Sequence, residues 1–201
     1  TLTDSSAASD VYKRQAGIRC WFYGVQSSQA SIVCFNADNN RVFTSPELND
    51  GRVNSANYHT GGDIFFDGDC LYVVNGDTNP GSLRDRKVQF ETHFCGKAVT
   101  WCGVGTVPNP VAQFVGVGLR HPWTSVSLSN RRRLIGDVGQ DSCEEVSLLD
   151  LTSVGTTVYN FGWPKFECNI LRGAVVPYNL DTQDAPCLLY TSDAADESVS
   201  V

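Results

Sequence analysis

The chain has 201 residues, enough for one domain with a sizeable core. Hydrophobic residues make up 41% and charged residues 18%, a balance typical of a folded protein rather than a disordered one. The net charge is −7 and the one basic cluster is Arg131–Arg133, so a nucleic-acid partner is not expected. No apolar run approaches the roughly 20 residues that cross a bilayer, so no membrane span is expected either.

The two ends of the chain differ in composition from its centre. Residues 1–15 and 187–201 are rich in Ser, Ala and Asp and carry no amphipathic pattern. Both resemble peptides translated from adapter sequence, and a naturally disordered terminus is the alternative. We therefore expect the folded part of the chain to lie within residues 16–186.

Eight cysteines are scattered along the chain without a CxxC pair, at positions 20, 34, 70, 95, 102, 143, 168 and 187. Zinc sites usually gather their sulfurs in close pairs, so a structural zinc is not expected. An even number of scattered cysteines is typical of disulfides in an oxidising compartment, and buried thiols are the alternative. The sequence leaves the pairing open.

Short apolar runs alternate with turn residues through the centre of the chain. The first two predicted hairpins pair Ile32–Phe35 with Arg41–Thr44 across 36–40, and Asp63–Phe66 with Cys70–Val74 across Asp67-Gly68-Asp69. A third hairpin and two later strands are predicted at Thr124–Leu128, Leu134–Gly136, Val146–Leu149 and Thr157–Phe161. No stretch has a sustained helical period with caps at both ends, so the chain is predicted to be all-β.

The strand pattern by itself fits a sandwich, a barrel or a propeller. Turns near 38, 68 and 130 are compatible with propeller blades of about 40–50 residues. A propeller of about six blades needs more than twice this length, so the chain would then form part of a ring.

Several segments, in chain order, carry a family resemblance. They are Asn57–Phe66 with its His59-Thr60-Gly61-Gly62, Leu71–Asp77, Gly96-Lys97, Val117–Trp123, Gly136–Asp141, Glu144–Val146 and Asn160–Pro164. Together they resemble the glucose/sorbosone dehydrogenases, soluble sugar dehydrogenases that depend on pyrroloquinoline quinone (PQQ). The resemblance implies that residues 16–186 form a fragment, about two to three blades, of an all-β, six-bladed β-propeller.

Phe166-Glu167-Cys168 is similar to a segment of the extracellular, Hedgehog-interacting-protein-like branch of the same family. That branch is secreted and rich in cysteine, so the resemblance implies an extracellular protein. No signal peptide is recognisable in the sequence.

The resemblance assigns catalytic and cofactor-binding roles to two short segments. His59 is implied to be the base that removes a sugar hydroxyl proton, and Arg120 to bind a quinone oxygen and stabilise its growing negative charge. Gly61 and Gly62 would let the backbone approach the flat PQQ, and His121 would be a further cofactor contact. From residue chemistry alone, a histidine bonded to loop backbone and an ion-paired surface arginine are the alternatives.

A third set of residues matches the position of the family's calcium site. Gly139, Gln140, Glu144, Glu145 and the carbonyl of Phe161 could supply the carboxylate and carbonyl oxygens that calcium prefers. On a strand, the two adjacent glutamates would point to opposite faces. Solvated acids are the alternative.

Two functions follow from the resemblance. The first is part of a PQQ- and calcium-dependent sugar dehydrogenase with an aldose as substrate; the second is a non-catalytic extracellular binding propeller, similar to the Hedgehog-interacting proteins, with a protein ligand. Tyr58, Thr100 and His121 depart from the family pattern and favour the second function. His59 and Arg120 are retained and favour the first.

Overall fold

The computed structural model describes residues 13–15, 17–25, 29–48, 59, 62–78, 86–141, 143–168, 170–171 and 188–193. These residues form fifteen β-strands and two short 3₁₀ turns, Arg86–Gln89 and Leu151–Ser153. No helix that is long and apolar enough to cross a membrane occurs among them. The prediction of an all-β chain is therefore confirmed.

Three antiparallel sheets follow one another along the chain. The first contains β1 (Lys13–Gln15), β2 (Ile18–Val25), β3 (Gln29–Phe35) and β4 (Arg41–Thr44) in that order. The hairpin turn between β3 and β4 is closed by the Asn36 side chain, which accepts hydrogen bonds from the amides of Asp38 (3.1 Å) and Asn40 (2.9 Å).

The second sheet is built on β5 (Gly62–Asp67), β6 (Cys70–Asn75), β7 (Lys97–Cys102) and β8 (Ala112–Val117). The third is built on β9 (Pro122–Leu128), β10 (Arg132–Asp137) and β11 (Cys143–Asp150). In each sheet, neighbours in sequence are neighbours in space, the up-and-down order of a propeller blade.

Four further strands complete the described set. They are β12 (Tyr159–Asn160), parallel to β8; the hairpin of β13 (Phe166–Glu167) and β14 (Ile170–Leu171); and β15 (Leu188–Asp193), antiparallel to β11. Parts of both end segments thus carry strand backbone, in β1 and β15.

The second sheet is buried on both of its faces. Because successive side chains of a strand point to opposite faces, β5 and β6 contribute side chains to two hydrophobic cores. The core against the first sheet includes Ile32, Cys34, Ile64, Val73 and Trp101. The core against the third sheet includes Phe65, Tyr72, Val74, Ile135 and Leu149.

One polar junction ties the second sheet to the third. Ser125 of β9 donates to Asp63 Oδ2 of β5 through its hydroxyl (2.5 Å) and its amide (3.1 Å). Arg133 of β10 places its Nη2 3.6 Å from the same oxygen and its guanidinium 3.6 Å from the ring centroid of Phe65. Since β5 and β9 both begin at the site described below, this junction fixes their relative position.

Three disulfides join six of the seven described cysteines. Cys20–Cys34 and Cys70–Cys102 each connect residues directly opposite on neighbouring antiparallel strands, and Cys143–Cys168 connects β11 to the residue after β13. Cys95 is buried beside Val88 and Trp163, and Cys187 lies outside the described residues.

Replacing Ser125 by alanine tests the junction between the sheets. Asp63 and Arg133 would keep their buried positions but lose a shared hydroxyl, so we expect the free energy of unfolding to fall by about 1–3 kcal/mol. Urea unfolding of Ser125→Ala and of Ser129→Ala, an exposed turn position, measures this. Equal stability of the two variants would contradict the assignment.

Candidate functional site

The beginnings of β5 and β9 and the end of β6 meet at one end of the second and third sheets. His59 precedes β5, Asp77 follows β6, and Arg120 and His121 precede β9. Gly76 allows these segments to approach one another closely. A Cβ at position 76 would collide with the His59 carbonyl and lie 3.1 Å from the Arg120 carbonyl oxygen. His59 itself has a φ of 55°, an uncommon conformation for a residue other than glycine.

A buried carboxylate holds the His59 ring. His59 Nδ1 lies 2.7 Å from Asp77 Oδ1, and Trp163 Nε1 donates to Asp77 Oδ2 at 2.9 Å. The Asp77 amide also donates to the Arg120 carbonyl at 2.8 Å. Because a carboxylate only accepts hydrogen bonds, the proton of neutral His59 resides on Nδ1, and Nε2 keeps a lone pair. His59 therefore has the tautomer of a general base.

Arg120 supplies a cation beside this pair. Its guanidinium lies 5.4 Å from the Trp163 ring centroid, and its Nη1 donates to the Val138 carbonyl at 2.8 Å. Burial lowers the pKa of Arg120, opposed first by Asp77, yet an arginine stays charged in proteins. Its buried Nε has no hydrogen-bond partner among the described residues. An unused donor on a half-buried cation fits a ligand with carbonyl or carboxylate oxygens.

Asp137, at the end of β10, clamps the segment that carries Arg120. Its Oδ2 accepts from the Arg120 amide at 2.9 Å and its Oδ1 from the His121 amide at 2.6 Å. The neighbouring Val138 amide donates to the His121 carbonyl at 3.1 Å. Burial raises the pKa of Asp137 to about 7. The clamp sets the direction in which Arg120 leaves the backbone.

His121 joins the site through ring contacts. Its imidazole stacks on His59 with centroids 4.6 Å apart and meets the edge of Trp123 at 5.4 Å. Burial, followed by repulsion from His59 and Arg120, lowers the pKa of His121 to about 4. His121 is therefore neutral at neutral pH.

Gly61 and Gly62 are the glycines predicted to lie close to the cofactor. Gly61 lies outside the described residues. At Gly62, an added Cβ would press on the Val74 carbonyl and lie 2.9 Å from that of Pro122. The close approach at Gly62 is therefore to backbone of β6 and β9.

Tyr58 and Thr100 also depart from the family pattern. Tyr58 lies outside the described residues. Thr100 is fully buried inside the second sheet, where its hydroxyl donates to the Leu71 carbonyl at 3.0 Å. Thr100 is thus a core residue with its polar group satisfied.

The turn after β10 presents amide donors to carboxylates. The Gly139 amide donates to Glu144 Oε2 at 3.0 Å, the Asp141 amide donates to Glu167 Oε1 at 2.9 Å, and the Gln140 amide donates to the same Glu167 oxygen. Several of the predicted calcium ligands are therefore close together, with their acids bonded to N–H groups.

Glu145 and Phe161 complete the set of predicted calcium ligands. Glu144 is exposed and Glu145 buried, so the two do face opposite sides of β11. Glu145 accepts from the Cys168 amide, and burial raises the pKa of its carboxyl to about 7. Phe161 packs its ring in the core between the second and third sheets.

The acids of this turn are engaged by backbone amides in the structure. No group of three or more His, Cys, Asp or Glu side chains is arranged to hold a metal in the part of the chain that the structure describes. Glu144, Glu145 and Glu167 each accept hydrogen bonds from backbone amides, whereas calcium needs six to eight oxygens directed at one point.

Sequence reasoning missed three residues that build the site: Asp77, Asp137 and Trp163. Both aspartates follow a glycine at the end of a strand, in Asn75-Gly76-Asp77 and Gly136-Asp137. A Gly-Asp pair at the end of an apolar strand is the sequence signal that could have identified the two aspartates.

No protein-family model and no curated protein matches the chain. Solved structures do match in fold. The PQQ-bound aldose sugar dehydrogenase from Streptomyces coelicolor has a TM-score of 0.56 and 15% identity, covering 88% of this chain and 49% of its own. An oxidoreductase described as a glucose dehydrogenase, from Thermus thermophilus, has a TM-score of 0.57 and 17% identity, with coverages of 87% and 52%.

The soluble aldose sugar dehydrogenase from Escherichia coli, in its apo form, has a TM-score of 0.51 and 18% identity, covering 79% of this chain and 47% of its own. At such identities the likeness concerns the fold, and the chain spans about half the length of the structures it matches. The prediction of a propeller fragment is confirmed.

Replacing His121 by asparagine tests the environment of its ring. A folded-state pKa near 4 means that the unfolded chain binds more protons between pH 4 and 6.5, so His121 makes stability fall as pH falls through that window. We expect His121→Asn to flatten this decline, measured by urea unfolding at pH 4.5, 5.5 and 6.5. An unchanged slope would contradict the lowered pKa.

Proposed function

We propose that this chain forms part of a PQQ-dependent sugar dehydrogenase that oxidises a hydroxyl group of an aldose. The observation that carries the proposal is the His59–Asp77 pair, with Nδ1 and Oδ1 2.7 Å apart, beside the half-buried cation of Arg120. The likeness in fold to aldose sugar dehydrogenases supports it.

His59 is the general base in this proposal. Oxidising an anomeric hydroxyl to a lactone removes the O–H proton and a hydride from the same carbon–oxygen unit. Nε2 of His59 takes the proton, and Asp77 stabilises the imidazolium that forms. Trp163 keeps Asp77 in place by donating to its other oxygen.

Arg120 is the residue that would hold PQQ. When bound, PQQ supplies the quinone that accepts the hydride. The guanidinium of Arg120 has an unused buried donor for a quinone oxygen, and its charge favours the electron-rich product. Gly61, Gly62 and His121 remain proposed neighbours of the cofactor. Calcium stays a prediction from the resemblance, and no step here uses it.

We also propose that the protein is extracellular. Three disulfides among the described residues support an oxidising compartment.

The alternative function is a non-catalytic extracellular propeller that binds a protein ligand, similar to the Hedgehog-interacting proteins. His121 departs from the family pattern and favours this alternative, because its ring stacks on His59 and alters the cofactor side of the site. Absence of turnover with several aldoses, with no quinone retained after desalting, would favour this alternative.

Replacing His59 by alanine tests the base. In the full-length protein with PQQ, we expect dye reduction by aldoses to fall by about 10²–10⁴-fold because the proton acceptor is gone. His93→Ala is the matched control and should keep the wild-type rate. Equal rates in the two variants would exclude His59 as the base.

Replacing Asp77 by asparagine tests the orientation of that base. The amide can donate to Nδ1, which favours the wrong tautomer, so kcat should fall by about 10²–10⁴-fold with PQQ binding retained. Asp67→Asn, in the partly exposed ion pair with Arg131, should leave kcat unchanged. A normal kcat in Asp77→Asn would contradict the role of Asp77.

A further inference from the structure

Trp123 is a large aromatic residue that the fold leaves exposed beside the site. Its side chain is 56% exposed. In the pairing of β9 with β10, Pro122 lies opposite Asp137 and Thr124 opposite Gly136, so Trp123 is the extra residue of a bulge. A bulge redirects a side chain away from the regular alternation of its strand, and bulges are frequent next to active sites.

The side chains next to Trp123 are aromatic. Its ring meets the edge of His121 at 5.4 Å, and His121 stacks on His59 at 4.6 Å. His121 is neutral at neutral pH because its pKa is lowered to about 4. Trp123, His121 and His59 thus form a row of rings, and the guanidinium of Arg120 contacts Trp163 and the Val138 carbonyl.

This row suits a neutral ring with an apolar face. An aldopyranose has hydroxyl groups around its rim and C–H groups on its faces, and those faces stack on an indole through dispersion and burial of apolar area. PQQ, by contrast, carries several carboxylates and is attracted to the cation of Arg120.

We propose that Trp123 is the platform on which the sugar ring stacks while His59 takes its hydroxyl proton. This inference rests on the proposed function and adds to it the residue that binds the substrate. Trp123 contacts the substrate without exchanging a proton or hydride with it, so its removal weakens sugar binding more than it slows the chemical step.

The test compares Trp123→Ala and Trp123→Phe in the full-length protein. We expect Trp123→Ala to raise the KM for D-glucose by about 10-fold, with kcat within about 3-fold of wild type, and Trp123→Phe to show a smaller rise. Val126→Ala, an exposed position three residues further along β9, is the matched control and should leave KM unchanged.

A second measurement separates this inference from the proposed function. Without PQQ no sugar is oxidised, and calorimetric titration with D-glucose then reports binding alone. Weakened binding in Trp123→Ala supports the platform even if the protein never oxidises a sugar. Unchanged sugar binding and an unchanged KM in Trp123→Ala would overturn the role of Trp123. A loss of PQQ affinity, or a change of oligomeric state, with sugar affinity unchanged would also overturn it.

Discussion

The carboxylate of Asp77 is the interaction on which the rest of the site depends. Its two oxygens bind His59 at 2.7 Å and Trp163 at 2.9 Å, and its amide binds the Arg120 carbonyl at 2.8 Å. One buried residue thereby joins segments that precede β5, follow β6 and precede β9. A buried carboxylate is stabilised here by a donor at each of its two oxygens.

A second aspartate gives the opposite side of the site its shape. Asp137 accepts the amides of Arg120 and His121, so the segment between β8 and β9 is held at both consecutive residues. Asp137 also lies opposite Glu145 in the pairing of β10 with β11, and each is a buried acid with a pKa raised to about 7. Buried acids at this end of the third sheet are therefore close to their point of protonation at neutral pH.

The sequence was sufficient for the fold class, and it singled out His59, Arg120 and His121, which the structure brings together. Turn signals at 36–40 and 67–69 located the hairpins correctly, since short-range turn chemistry decides them. The contacts that hold His59 join residues far apart in the sequence. His59 and Asp77 are separated by 18 positions, and Asp77 and Trp163 by 86 positions. Such separations leave no local pattern.

Disulfide pairing and the calcium ligands show the same limit. Cys70 pairs with Cys102 because β6 and β7 place them opposite each other, a matter of register that spacing does not reveal. The direction of the amides in the turn at 139–141 decides what its acids can bind, and the residue types there do not specify that direction.

Asp77 fixes His59 with its proton on Nδ1, and the proposed chemistry depends on that tautomer. Long-range proton–nitrogen correlation spectra of the imidazole, recorded at neutral pH and assigned with His59→Ala, measure the tautomer directly. We expect a protonated Nδ1 and a bare, pyridine-like Nε2 for His59. A signal from the tautomer protonated on Nε2 would contradict it.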